Sequence, residues 1–224
     1  MYSTFVRPGS LVFDIGAHLG DRTAAFSSLG ARVIALEPQP RVAVWLRRLV
    51  GRRSGVEIVE EAVGPSEGTA RLAVSRRNPT VSTLSRLWRD QMPERNSGFE
   101  GVRWEDEVEV PMTTLDALVD RFGLPDFCKL DIEGYEAEAL EGLSRAVPAL
   151  SVEFVRGGLE VAEACVARLE TLGRYEYNAV AGENRSFVFD GWLDAGAAHA
   201  WLRRGADELP FGDLYARLTE EPVS

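Results

Sequence analysis

The sequence predicts a doubly wound α/β fold on a mostly parallel sheet. Three observations predict it. Short apolar runs alternate with amphipathic stretches of helical period along most of the chain. The runs are apolar throughout, as strands covered on both faces are. The first run passes through a glycine-containing turn into a helical stretch, Asp14-Ile15-Gly16-Ala17-His18-Leu19-Gly20-Asp21-Arg22-Thr23.

In order, strands are expected at 11–15, 32–36, 56–59, 127–132 and 149–154. Helices are expected at 22–29, 41–50, 135–143 and 160–172. The middle breaks this rhythm. Residues 69–75 and 108–114 read as two strands with no helix of usual size between them. Residues 76–107 hold Pro79, Pro93, Gly98 and Gly101 with Trp88, Phe99 and Trp104, and read as a lid-like insertion on a β-hairpin. At the tail, 175–180 and 186–189 flank Gly182-Glu183-Asn184 and read as a C-terminal antiparallel hairpin. A last helix is expected at 192–203. Gly212-Asp213-Leu214-Tyr215 is a polar–aromatic cluster that either closes over a site or packs the tail. One domain over 1–224 is expected.

Composition narrows the function classes. Hydrophobic residues make up 45% and charged residues 27%, a globular mix. With 25 basic and 35 acidic side chains the net charge is −10, which disfavours a nucleic-acid partner. Cys128 and Cys165 have no metal-ligand spacing and read as reduced core residues. No leader or membrane-spanning run is legible, so no membrane partner and a cytoplasmic location are expected. The oligomeric state stays open.

The turn after the first strand is the first chemical signal. Its spacing is Gly-x-x-x-Gly, from Gly16 to Gly20, not the Gly-x-Gly-x-x-Gly of dinucleotide sites. Asp14 and Asp21 would repel a pyrophosphate and suit a cation. The amino and sulfonium groups of S-adenosylmethionine are both positive. Glu37 ends the second strand, where a carboxylate can accept hydrogen bonds from both ribose hydroxyls. Glu61 and Ala62 follow the third strand, where an adenine would lie. Either glycine alone would suit an ordinary strand–helix turn. The ordered set of strand, glycine turn, helix, strand and Glu37 carries the reading, with Ala17, His18 and Thr23 completing the cofactor loop.

Val12 to Thr23, Glu37-Pro38, Glu61-Ala62-Val63-Gly64, Thr114-Leu115-Asp116 and Lys129-Leu130-Asp131-Ile132-Glu133-Gly134-Tyr135-Glu136 together resemble the FkbM family of class I methyltransferases, over about residues 10–156. The resemblance implies a Rossmann-like fold, S-adenosylmethionine as cofactor and O-methylation of a hydroxyl on a small molecule or sugar. The family commonly has Asn where this chain has His18.

Lys129, Asp131 and Glu133 are spaced by two, so on a strand they share one side. Ionisable groups do not sit unpaired in a sheet interior. The trio is therefore expected at the strand's carboxyl end beside the transferred methyl, with Glu153 as a neighbour. Asp131 or Glu133 would help deprotonate or orient the acceptor. Two other readings stay open. Lys129 and Asp131 form a structural ion pair, or Asp131, Glu133 and Glu153 bind a divalent metal through oxygen. His18 is a further candidate base, and His199 reads as packing. Trp88, Phe99 and Trp104 line an acceptor site or form the insertion's own core, with Asn78, Ser82 and Thr83 as polar contacts. The competing functions are a nicotinamide oxidoreductase and a non-catalytic interaction protein that retains the fold.

Overall fold

The computed structural model describes residues 2–220; Met1 and 221–224, the ends of the expected domain, lie outside the described residues. The strands are β1 Leu11–Ile15, β2 Arg32–Leu36, β3 Val56–Val59, β4 Ala62–Val63, β5 Gly68–Val74, β6 Asp106–Thr113, β7 Phe127–Leu130, β8 Ala149–Val155, β9 Arg174–Ala181 and β10 Phe211–Glu220. The helices are α1 Asp21–Ser28, α2 Pro40–Leu49, α3 Arg86–Arg95, α4 Leu115–Phe122, α5 Glu136–Glu141, α6 Leu159–Glu170 and α7 Ala195–Arg203.

Seven strands form one sheet in the order β3-β2-β1-β7-β8-β10-β9, parallel except where β10 runs against β8 and β9. A smaller sheet, β4-β6-β5, is built on the antiparallel β5–β6 pair. Apolar side chains fill both faces of the large sheet. On one, Phe13, Ile15, Cys128, Leu130 and Val152 pack against Leu118 of α4, Leu140 of α5, Val166 of α6 and Trp201 of α7. On the other, Val12, Val33 and Phe127 pack against Phe26 of α1, and Ala35 meets Leu46 of α2. This is the doubly wound, Rossmann-like arrangement the apolar runs predict.

Four differences from the sequence reading have physical causes. The C-terminal antiparallel pair is present, but β9 pairs with β10 rather than with 186–189. The polar–aromatic cluster at 212–215 is thus an inner strand, paired on both sides. The insertion contains a helix of ten residues, α3, which Ser85 caps by accepting from Trp88 N. Only Trp88 and Met92 are buried in it, and Pro93 interrupts it, so its helical period is faint. The helix α4 begins at a Thr114 cap, a residue the sequence reading assigns to the preceding strand. Finally, β7 stops at Leu130, and residues 131–134 turn, with Glu133 (φ 55) and Gly134 (φ 81) in the left-handed region.

The insertion is pinned to the carboxyl end of the sheet. The indole of Trp88 fills the space where a Cβ on Gly134 or on Gly158 would meet it at 2.2 and 2.3 Å. With Met92 and Phe99 it packs on Val155 at the end of β8. Thr83 Oγ1 donates to the Glu133 carbonyl at 2.7 Å, and Asn96 Nδ2 to the Arg156 carbonyl at 2.8 Å.

Candidate functional site

A cleft of about 570 Å³ opens at the carboxyl ends of β1, β2 and β7, as expected for ligands on an open α/β sheet. Its walls include Gly16, His18, Glu37, Glu61, Ala62, Asp131, Ile132 and Glu133, and Pro79, Thr80, Ser82 and Leu84 of the insertion roof it.

The turn after β1 is tied to both neighbouring strands. Gly16 N and Ala17 N donate to the Leu36 carbonyl at 3.0 and 2.8 Å. Gly16 has φ +83, and a Cβ there would lie 1.9 Å from the Asp131 carbonyl oxygen. A side chain at this position would push the turn off β7. His18 has φ 48, a region that His and Asn enter more readily than most residues, so the His-for-Asn difference keeps the backbone shape. Burial lowers the His18 pKa, opposed by Asp131 and Asp21.

Glu37, 6% exposed, leaves the end of β2 toward this turn. Its Oε2 accepts from His18 N at 3.0 Å and its Oε1 from Gln39 N at 2.8 Å. Each oxygen keeps a lone pair for a further donor. Burial raises its pKa to about 7, against the lowering by those two N–H groups.

The other cofactor-loop candidates do not line the cleft. Asp14 is buried and accepts from Thr23 Oγ1 at 2.5 Å; burial raises its pKa. Gly20 packs on Leu46 and Val50. Asp14, Ala17, Gly20, Asp21 and Thr23 are not among the cleft-lining residues. Asp14 with Thr23, and Gly20 packed on α2, brace the loop, whereas Asp21 is exposed at the start of α1.

At the other end the carboxylates converge. Asp131, Glu133 and Glu153 each bring an oxygen within 4.8 Å of the other two. Lys129 differs from expectation. It sits inside β7, 2% exposed, and does not line the cleft. Its Nζ donates to Asp131 Oδ2 at 2.8 Å and to Asp213 Oδ1 at 3.4 Å. Burial would lower its pKa, but Asp131 and Asp213 outweigh burial and hold it well above the ordinary lysine value. The ion-pair reading therefore holds for Lys129, with Asp213 as an additional partner.

Strand register explains this polar seam. Asp14 faces Lys129, Lys129 faces Ser151, and Ser151 faces Tyr215 across β1, β7, β8 and β10. One step along, Glu153 faces Asp213. Burial, then Asp131, raises the pKa of both Glu133 and Glu153. Glu136, 1% exposed, accepts from Ile132 N at 2.8 Å, and burial raises its pKa to about 7.

Sequence reasoning gives no site role to Gln39, reads Tyr135 and Glu136 only as part of the family motif, and leaves Asp213 in a cluster that either closes over a site or packs the tail. Gln39 Nε2 donates to Ser82 Oγ at 2.8 Å, tying the insertion to α2, and Tyr135 lines the cleft. A signal for the Lys129–Asp213 pair was available. Lys129 is the only lysine in a chain whose other cationic side chains, histidine aside, are all arginine. A compact ammonium on a flexible stem reaches Asp131 and Asp213 as a single point charge.

The model of the methyltransferase FkbM domain matches residues 14–168, more than half of the chain. This chain belongs to the FkbM methyltransferase family. The match spans the glycine turn, Glu37 and the carboxylate cluster of this FkbM domain. No curated protein matches the chain. Solved structures similar to it include the precorrin-6y C5,15-methyltransferase of Geobacter metallireducens GS-15, at 16% identity and TM-score 0.47, covering 96% of this chain and 85% of that one. The Aeropyrum pernix fibrillarin bound to S-adenosyl-L-methionine gives 14% and 0.47, covering 95% and 68%. A precorrin 8w decarboxylase from the Methanobacterium thermoautotrophicum genome gives 12% and 0.48, covering 95% and 84%. Likenesses this distant bear on neither acceptor nor site residues. Among the described residues of this FkbM domain, no helix is long and apolar enough to cross a membrane.

Proposed function

We propose that this FkbM domain O-methylates a hydroxyl on a small molecule or sugar, using S-adenosylmethionine as methyl donor. The observation that carries the reading is Glu37, a buried carboxylate on the cleft wall with two oxygens that each retain a lone pair. That arrangement suits a ribose diol. Ala62, Val63 and Leu72 offer apolar walls to an adenine, and Asp131 with Glu133 lines the end of the cleft where the transferred methyl and the acceptor would meet. Among the described residues no Lys or Arg lines the cleft, which disfavours the pyrophosphate of a nicotinamide dinucleotide.

When bound, the cofactor supplies an electrophilic methyl. The protein's part is to hold an acceptor oxygen in line, about 3–3.5 Å from the carbon, and to take up its proton. Asp131 and Glu133 are assigned that part. Glu153 acts behind them, and Lys129 orients Asp131. The insertion, pinned by Trp88 and Thr83, roofs the cleft and must open to admit ligands. The net charge of −10 argues against a nucleic-acid acceptor.

The test is formation of S-adenosylhomocysteine with a panel of hydroxylated small molecules and sugars. Turnover on any of them is the expected result. Tight cofactor binding with no turnover on any acceptor would favour a non-catalytic protein. Binding of a reduced nicotinamide instead would favour an oxidoreductase. Hydrogen exchange should show residues 76–105 opening faster than β1 and β7 in the ligand-free protein. Equal protection of both would make the insertion a fixed support rather than a lid.

A further inference from the structure

The carboxylate cluster is short of partners. Two oxygens on opposite sides of one ion lie about 4.2 Å apart at Mg²⁺ bond lengths and about 4.8 Å at those of Ca²⁺. The oxygens of Asp131, Glu133 and Glu153 lie within 4.8 Å of one another, so a point between them is no more than about 2.8 Å from each, and small side-chain shifts bring all three to Ca²⁺ or Mg²⁺ bond lengths. Acidic clusters are common without an ion, and the buried atoms around this one decide the matter. Ser151, 0% exposed and two residues before Glu153 on the same face of β8, has no partner for its hydroxyl. Trp88, 6% exposed, turns its indole N–H toward Glu133 without an acceptor in hydrogen-bond geometry. Glu153 Oε2 is shielded from solvent and accepts nothing. Buried polar atoms left unpaired are rare in folded proteins, and several together beside one acidic cluster call for a partner, for which a bound ion with its water shell is the candidate. Positive charge is short as well. Lys129 is shared between Asp131 and Asp213, and Arg22, near Asp213, is bound to Glu183 at 2.5 Å.

We propose that Asp131, Glu133 and Glu153 ligate one hard divalent cation of the Mg²⁺ or Ca²⁺ class, with Ser151 and Trp88 as hydrogen-bonding groups around it. Three carboxylates without Cys or His select such an ion over softer metals. They also come from two separate elements, the turn after β7 and the end of β8. The ion would sit where the acceptor hydroxyl is expected and would ease loss of its proton. That consequence rests on the methyltransferase reading, whereas the binding itself does not.

The experiment uses the full chain, stripped with EDTA and titrated with Mn²⁺ by calorimetry and electron paramagnetic resonance, with Mg²⁺ and Ca²⁺ as competitors. One saturable site per chain is expected, displaced by either competitor. Glu153→Gln should weaken it at least tenfold while S-adenosylmethionine affinity stays within about threefold. Asp131→Asn is the second variant should Glu153→Gln lose its circular dichroism spectrum. No saturable Mn²⁺ binding to the wild type overturns the proposal, as does equal affinity in a folded variant. Binding of butylammonium in place of Mn²⁺ also overturns it and would make the cluster a subsite for a cationic acceptor. Cofactor binding is read on the same samples. Mn²⁺ binding without it would leave this site standing and sink the methyltransferase reading; the reverse would sink only this site.

Discussion

The two ends of the cleft are built on opposite plans. At the β1–β2 end the polar groups are satisfied by backbone. Glu37 takes two N–H groups, and Gly16 and Ala17 bond to Leu36. At the β7–β8 end three carboxylates crowd together, and Ser151, Glu153 and Trp88 carry polar atoms with no partner. A satisfied rim is preorganised and costs little to keep dry. An unsatisfied one is stabilised only when something binds. The first suits a ligand of constant shape, such as a cofactor. The second suits the step at which charge and protons move.

Asp131→Asn should separate the two ends most sharply. Turnover should fall about a hundredfold to ten-thousandfold if a general base is lost, with cofactor affinity nearly unchanged. Steady-state kinetics beside calorimetry checks it, and full turnover in both this variant and Glu133→Gln would remove the cluster from the chemistry. Glu37→Ala should do the opposite. It should weaken the cofactor by about 1.5–3 kcal/mol and leave turnover at saturation largely intact. Unchanged affinity by calorimetry would dissolve the assigned difference between the ends.

The same end has a predicted pH signature. The Glu37 pKa stands at about 7, above that of the unfolded chain. The ligand-free fold therefore keeps a proton that the unfolded chain releases. This group's effect on the ligand-free fold is a penalty that is full above about pH 7 and fades as pH falls toward the ordinary carboxylate range. A cofactor that uses the ionised form must expel that proton. Its affinity should weaken below about pH 7, by up to tenfold per unit, and Glu37→Gln should flatten the profile. A wild-type affinity independent of pH between about 5.5 and 7.5 would contradict this use of Glu37.

Ser151→Ala is the smallest expected effect. Removing an unpaired buried hydroxyl should stabilise the EDTA-stripped protein by about 1 kcal/mol in urea denaturation. A loss of stability would mean that a buried water already satisfies Ser151.

Much of the first end was legible in sequence because its parts are local. Strands β1 and β2 are continuous apolar runs, and the glycine turn and Glu37 sit directly at their ends. The second end depends on distant pairings. Lys129 was expected at the strand end because a buried ammonium needs partners, yet one partner, Asp213, lies 84 residues away. The strand that carries Asp213 was illegible because its neighbours, β8 and β9, both precede it at long range. Residues 186–189 offered a nearer hairpin, and local spacing favoured them. Helix α3 escaped notice because it buries only Trp88 and Met92, whereas its anchor, the gap between Gly134 and Gly158, is a tertiary feature. The three-carboxylate cluster was anticipated by residue type, but its closeness follows from the turn that ends β7.

The buried Lys129 also makes the protein its own chemical clock. With no other lysine in the chain, acylating reagents selective for ε-amines meet none on the surface. Modification of Lys129, located by peptide mapping, would require the seam between β7, β8 and β10 to part. Its rate would time that parting, and a ligand that tightens the seam would slow the labelling in proportion.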